Sequence, residues 1–351
     1  MLDSGQHLGK SFSHQVNAII FIVLSNRKGM MDTNEYYFLK SFLKPKSLSK
    51  VLSMRDWTSY LGRDAELALI KYEKEGVLQS ANTQEVVTAT YSAPKLKNIS
   101  QNLNLPTSGT KPVLVRRILE AAPNYFNGNS LEHDFLVCSC EGAKQIEAKE
   151  QIIKNEMFAA IELSVNQAQN RNFEDAFEPV RKHQLSLPFP SGLGVDWSNF
   201  GGSREVFIIN NILDDWPLIL SEIHPDLKPI VRQGAISMFL WGLKLGDELR
   251  KKLASNGTHL DPDGVCRMML FFAQNKFRIF DAKLKSQELG MPYIMKTMRF
   301  EGDFCSACEK HRVGDYSLSE VPEIPLADCR CKGGCTISLS EALDINKITT
   351  T

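Results

Sequence analysis

Five of the eight cysteines in this 351-residue chain fall between positions 305 and 335: Cys305, Cys308, Cys329, Cys331 and Cys335. Their order is C-x2-C-x20-C-x-C-x3-C, and His311 stands three residues past Cys308. A zinc ion takes four thiolate or imidazole ligands in a tetrahedron, and a C-x2-C turn supplies two from one knuckle. The second half of the motif offers three thiols for the two remaining places, and Gly333-Gly334 permits a chain reversal ahead of Cys335. This pattern predicts one structural zinc per chain. The competing readings are reduced, unliganded thiols on a short β-hairpin and a redox disulfide, although no thioredoxin-like pattern surrounds Cys305-Ser306-Ala307-Cys308. A disulfide scaffold belongs to small secreted chains, which this is not. Cys138, Cys140 and Cys266 lie elsewhere and read as incidental.

The second constellation is cationic. Segment 92–122 carries Lys95, Lys97, Lys111, Arg116 and Arg117 against Glu120, a net +4. Pro94 suits a first helical turn, and Leu96, Ile99 and Leu103 mark one face of a short helix. Leu105-Pro106-Thr107-Ser108-Gly109 is turn chemistry, with Gly109 free to take a positive φ. Thr110 is a good N-cap, and Pro112 is tolerated in a first turn. The second helix stops at Pro123. On its wheel Leu114, Val115, Ile118 and Ala122 share one side, and Arg116 and Arg117 point away from it. Such a loop presents helix-terminal N–H groups and a lysine together, a natural phosphate site. The bland alternative is a helical hairpin with ordinary solvated lysines.

Segment 92–123 resembles a SAP domain, a helix–extended turn–helix module that binds DNA. The resemblance is carried by Leu96-Lys97, Leu105-Pro106-Thr107-Ser108-Gly109-Thr110-Lys111, Leu114 and Arg116-Arg117-Ile118-Leu119. Lys95 stands where an acidic residue is common, and Pro112 where a small one is usual. The resemblance implies Lys97, Ser108, Gly109, Thr110, Lys111 and Arg116 or Arg117 as DNA contacts, mostly to phosphates, with steep salt dependence and weak sequence preference. SAP folds also dock proteins.

The late cysteines are similar to the Cys-rich endings of phage head-morphogenesis-type proteins. The matching residues are Cys305, Cys308, Gly314-Asp315-Tyr316-Ser317-Leu318, Pro322, Pro325 and Cys329-Arg330-Cys331. That alignment implies Cys305, Cys308, Cys329 and Cys335 as the tetrad, with Cys331 as the substitute and His311 a poorer one.

The elements that must position these residues read as mainly α. The expected order is a leader over 1–30, non-native or a buried strand, and an N-terminal helical region over 31–90. The SAP-like module at 91–123 follows, then a helical body over 130–300 with a long loop at 186–203, and a Cys-rich zinc-ribbon-like module at 301–340. Asp64 caps a helix from Ala65 to Glu75 that Gly76 ends, and residues 143–176 form a long helix or a broken pair. Asp214-Asp215 reads as an acidic pair at a helix N-terminus, and Asp261-Pro262-Asp263-Gly264 as a turn.

Net charge is zero, but residues 1–125 hold 16 basic and 10 acidic residues (+6) and the remainder 25 and 31 (−6). A polyanion is therefore met by the front third, while the acidic body can receive a protein partner. The apolar run at 16–24 is under half of what a membrane span needs, so the chain is expected to be cytoplasmic, with no membrane partner. GxxxxGK[ST], GxSxG and HExxH signatures are absent, and His133, His183, His224 and His259 have no triad spacing. The expectation is a non-enzymatic DNA-binding accessory protein, phage-related, with no small-molecule substrate. A phage-type assembly protein is the first alternative, and a DNA-processing enzyme with a scattered carboxylate site the second.

Overall fold

A computed structural model describes residues 31–54, 57–126, 135–187, 195–298, 304–331 and 333–345. The expected leader and its apolar run lie outside these described residues, as does 188–194 of the expected loop. Among the described residues there are fourteen α-helices and six short strands, and 60% helix overall makes the fold mainly α. None of these helices is long and apolar enough to cross a membrane. The chain forms two compact units, residues 1–155 and 156–351.

In the first unit, α1 (Thr33–Lys40) starts at Asp32, whose carboxylate accepts from Glu35 N while Glu35 reaches back to the Asp32 amide, a reciprocal cap. It is followed by β1 (Lys46–Ser47), α2 (Leu48–Met54), α3 (Trp57–Leu61) and α4 (Ala65–Lys74). Asp64 caps α4 through Glu66 N and Leu67 N, as its sequence predicts, and Gly76 follows at φ +71°. The strands β2 (Leu78–Ser80) and β3 (Phe135–Cys138) complete an antiparallel sheet in the order β1-β3-β2. Its core gathers Phe38, Phe42, Trp57, Leu69 and Leu136. Cys138 is buried there, its thiol pushed up to about 11 by desolvation, which suits a packing residue.

A second small core in the same unit belongs to the hairpin, built from α6 (Ala93–Asn102) and α7 (Lys111–Ala121). Leu96, Ile99, Leu114, Val115 and Ile118 all turn inward, so the apolar periodicity is fulfilled. Two residues from outside 91–123 join them: Val87 from α5 (Thr83–Thr90) and Phe126. Phe126 meets Tyr91 edge-on with ring centroids 5.3 Å apart.

The long helix α8 (Cys140–Gln169) contains the boundary between the units. The second unit continues with α9 (Phe173–Ser186), α10 (Ser203–Asp214), α11 (Lys228–Trp241), α12 (Asp247–Lys252) and α13 (Pro262–Leu289). A Met/Phe-rich helix of 28 residues, α13 packs against α10 and α11, its Met268, Met269 and Phe272 buried. Asp261 caps it through Gly264 N at 2.6 Å, so the Asp-Pro-Asp-Gly run opens a helix. Asp214 and Asp215, by contrast, end α10 instead of starting a helix. The unfavourable helix-dipole placement is offset by Arg171 beside Asp214 and by Lys276 Nζ, 2.7 Å from Asp215.

After α13 come β4 (Tyr293–Met298), α14 (Ser306–Lys310), β5 (Asp315–Ser317) and β6 (Ser338–Leu343). The sheet order is β5-β4-β6, antiparallel, with Met295 opposite both Tyr316 and Glu341. Cys308, Cys329, Cys331 and Cys335 belong to the same continuous core as Val265, Met268 and Leu339. The cysteines therefore sit against the floor of the second unit's core.

Candidate metal centre and cationic hairpin

Short-range geometry aims each late thiol. Cys305 is the N-cap of α14 and Cys308 lies one turn inside it, so the helical start acts as the first knuckle. Cys329 N donates to Leu326 O at 3.2 Å, and Gly334 N to Cys331 O at 2.9 Å, folding the second cysteine group back on itself. Gly334 has φ +89°, and a Cβ there would lie 2.6 Å from Met268 Cε. Cys335 N donates to Met268 Sδ at 3.1 Å, which fixes this turn on α13.

Cys308 Sγ lies 3.4 Å from Cys329 Sγ, 3.8 Å from Cys335 Sγ and 3.9 Å from Cys331 Sγ. Cys305 Sγ is 3.9 Å from Cys329 Sγ. Four thiolates around one ion at the zinc–sulfur bond length stand about 3.8 Å apart. Cys305, Cys308, Cys329 and Cys331 have all their sulfurs within 4.8 Å of one another, so these four could hold a metal ion. That compact set includes the substitute Cys331, whereas Cys335 of the family-derived tetrad sits outside it but against Cys308. His311 is turned away: its Nδ1 is 2.9 Å from the Tyr316 hydroxyl. All eight cysteines are unbridged.

The electrostatics favour a bound cation. Burial pushes the Cys305 thiol up, but amide donors, notably Arg330 N at 3.3 Å, bring it down to about 6. The Cys329 thiol beside Cys335 brings that group to about 6 against its burial. Cys308 is pushed above the usual thiol range by burial and the Cys335 charge, and Cys329 by its hydrogen bond to Cys335 and by burial. Two thiols thus carry charge at neutral pH and two resist it, because a third and fourth thiolate would repel the first pair. Further amides point at sulfur, Cys305 N to Cys331 at 3.3 Å and Cys331 N to Cys329 at 3.5 Å, the outer hydrogen bonding that steadies thiolate ligands.

A dication entering this site must displace the protons of Cys308 and Cys329. Its affinity therefore rises with pH and falls on acidification. Competition with a chromophoric chelator is expected to show zinc binding about a hundredfold weaker for each pH unit below neutrality, a factor of about ten for each of the two protons displaced. A pH-independent constant would contradict the assignment of protonated thiols.

In the hairpin, Lys97, Ser108, Gly109, Thr110 and Arg116 are exposed, and Lys111 and Arg117 half-buried. Among the described residues Lys97 and Lys111 enter no ion pair, and Arg116 meets only the exposed Glu120, at 3.8 Å. Thr110 occupies the N-cap position but its hydroxyl makes no capping bond. The N–H of Val113 is left without that cap, and it and the N–H groups of Ser108, Gly109 and Lys111 have no acceptor among the described residues. Arg117 behaves differently from its neighbour. Its guanidinium donates to Pro106 O at 2.5 Å and Ser108 O at 3.0 Å, bracing the turn from beneath.

Gly109 takes φ +118°, and a Cβ there would stand 3.0 Å from Val113 Cγ1. Gly109→Ala is expected to cost about 1–2 kcal/mol through this conformation and contact. A urea melt of the full chain followed by Tyr91 and Phe126 signals in NMR checks it; an unchanged midpoint would show that the turn tolerates a side chain.

The residues that sequence reasoning did not find are supporting ones. Met268, 67 positions from the Cys335 amide it receives, is not singled out by the sequence, and Arg117, expected as a DNA contact, is told apart from Arg116 only by the turn it braces. Comparison of the chain with protein-family models, with curated proteins and with solved structures gives no match.

Proposed function

We propose that this chain is a DNA-binding accessory protein whose hairpin grips duplex phosphates and whose late cysteines hold one structural zinc. The observation that carries the reading is the loop around Gly109. It joins four acceptor-free amides to the unpaired Lys111, with the unpaired Lys97 exposed on α6 of the same hairpin, which has an apolar core. Backbone amides at a helix start and flexible ammonium groups are the donors that phosphate oxygens take. They read no base edge, so affinity is sequence-tolerant. Lys97, Ser108, Gly109, Thr110, Lys111 and Arg116 make the contacts, while Arg117 holds the loop in shape.

The zinc ties α14 to the 329–335 turn, which Met268 seats on α13. Four cysteine sulfurs within 4.8 Å of one another suit this soft-tolerant d10 ion, and a site closed by four protein ligands would leave no open position for catalysis. Fluorescence anisotropy with an arbitrary labelled duplex tests the DNA reading. Binding should weaken steeply as salt rises, with a log–log slope of about −0.9 for each phosphate neutralised. No binding at low salt, or binding that ignores salt, refutes it. Elemental analysis of untagged protein should give about one zinc per chain.

A further inference from the structure

Five sulfurs converge where a tetrahedral ion uses four. The surplus is not spread evenly. Cys308 and Cys329 are in contact with each other, at 3.4 Å, and the other three sulfurs each approach one of this pair within 3.9 Å. Cys305 comes from the α14 knuckle and is partly exposed, Cys331 lies two residues past Cys329, and Cys335 is fully buried on the Met268 side. One staggered step about χ1 moves a cysteine sulfur by about 3 Å, enough to enter or leave a coordination shell without backbone motion.

We infer that the five thiols form one adaptable zinc site, in which Cys308 and Cys329 are fixed ligands and Cys305, Cys331 and Cys335 share the two remaining places. The inference rests on the zinc reading above and deepens it. Cys335 is the inner reserve. When Cys305 swings outward to solvent, Cys335 completes the tetrahedron with Cys308, Cys329 and Cys331, and the ion stays. The solvent-facing thiol is thereby a modification site for soft electrophiles that does not cost the chain its metal.

The zinc-loaded full chain treated with N-ethylmaleimide tests this. The Cys305 sulfur adds across the maleimide double bond, and the neighbouring carbon takes a proton from water. Mass spectrometry is expected to find one adduct among the five late cysteines, on Cys305, with about one zinc retained and four sulfurs at about 2.3 Å by X-ray absorption. Loss of zinc with the first adduct, or protection of all five thiols, overturns the inference. Cys305→Ser, Cys331→Ser and Cys335→Ser should each keep about one zinc bound by four sulfurs, whereas Cys308→Ser and Cys329→Ser should not. A folded Cys331→Ser or Cys335→Ser protein with a three-sulfur site overturns it equally. Wild-type protein that takes up no zinc refutes the zinc reading itself, a distinct result.

Discussion

Cys308→Ser is expected to strip the zinc and lower the melting midpoint of residues 156–351 by about 10 °C. Cys308 is fully buried and touches three of the other late sulfurs, so no rotation of a neighbour can replace it. Free zinc at a thousandfold excess over its dissociation constant stabilises a folded site by about 4 kcal/mol. For a unit of this size each kcal/mol moves the midpoint by about 2–4 °C. The serine hydroxyl adds the cost of a buried polar group. Scanning calorimetry of wild-type protein with and without a chelator supplies the control. The chelated protein should melt well below the loaded wild type, and Cys308→Ser at or a little below the chelated protein. If all three melt alike, the cysteines contribute packing and no metal.

The second large effect concerns the hairpin. Lys97→Ala, Lys111→Ala and Arg116→Ala combined should weaken duplex binding about 10–100-fold at low salt and reduce the magnitude of the salt slope by about 3, one for each phosphate that is no longer neutralised. These side chains lie on the surface or at its edge, and the exposed Arg116–Glu120 pair is worth well under about 1 kcal/mol, so the thermal midpoint should hardly move. Arg117→Ala is the informative contrast: its bonds to Pro106 O and Ser108 O make it a loop support, and its removal should register first in stability. Should the triple variant bind as the parent does, the hairpin is not the DNA surface.

How much of the fold and the site is legible in the sequence follows from the range of each interaction. The Asp64 cap and the two hairpin helices depend on neighbours a few residues away, and the sequence displays them. The sheets depend on distant partners. β1 is two residues long and exists because Lys46 and Ser47 pair with Leu136 and Phe135, and β6 (SLSEAL) has no β-rich pattern and is extended by pairing with β4. The same logic covers Asp214 and Asp215: composition suggests a helix start, but Arg171 from the turn before α9 and Lys276 from α13 make a helix end acceptable. At the metal centre, clustering of the cysteines is evident from spacing. Which four lie closest depends on how the 329–335 turn is seated on Met268, a contact with no local signature.

The hairpin's apolar interior draws on residues on both flanks. Val87 and Phe126 are almost wholly enclosed by it, and Tyr91 closes over Phe126. A peptide cut at 92 and 123 would forfeit both, each worth about 1.5–3 kcal/mol of burial, and leave a greasy flank open to water. A fragment that keeps this interior whole starts at Asn82, whose side chain caps α5, and runs through Phe126.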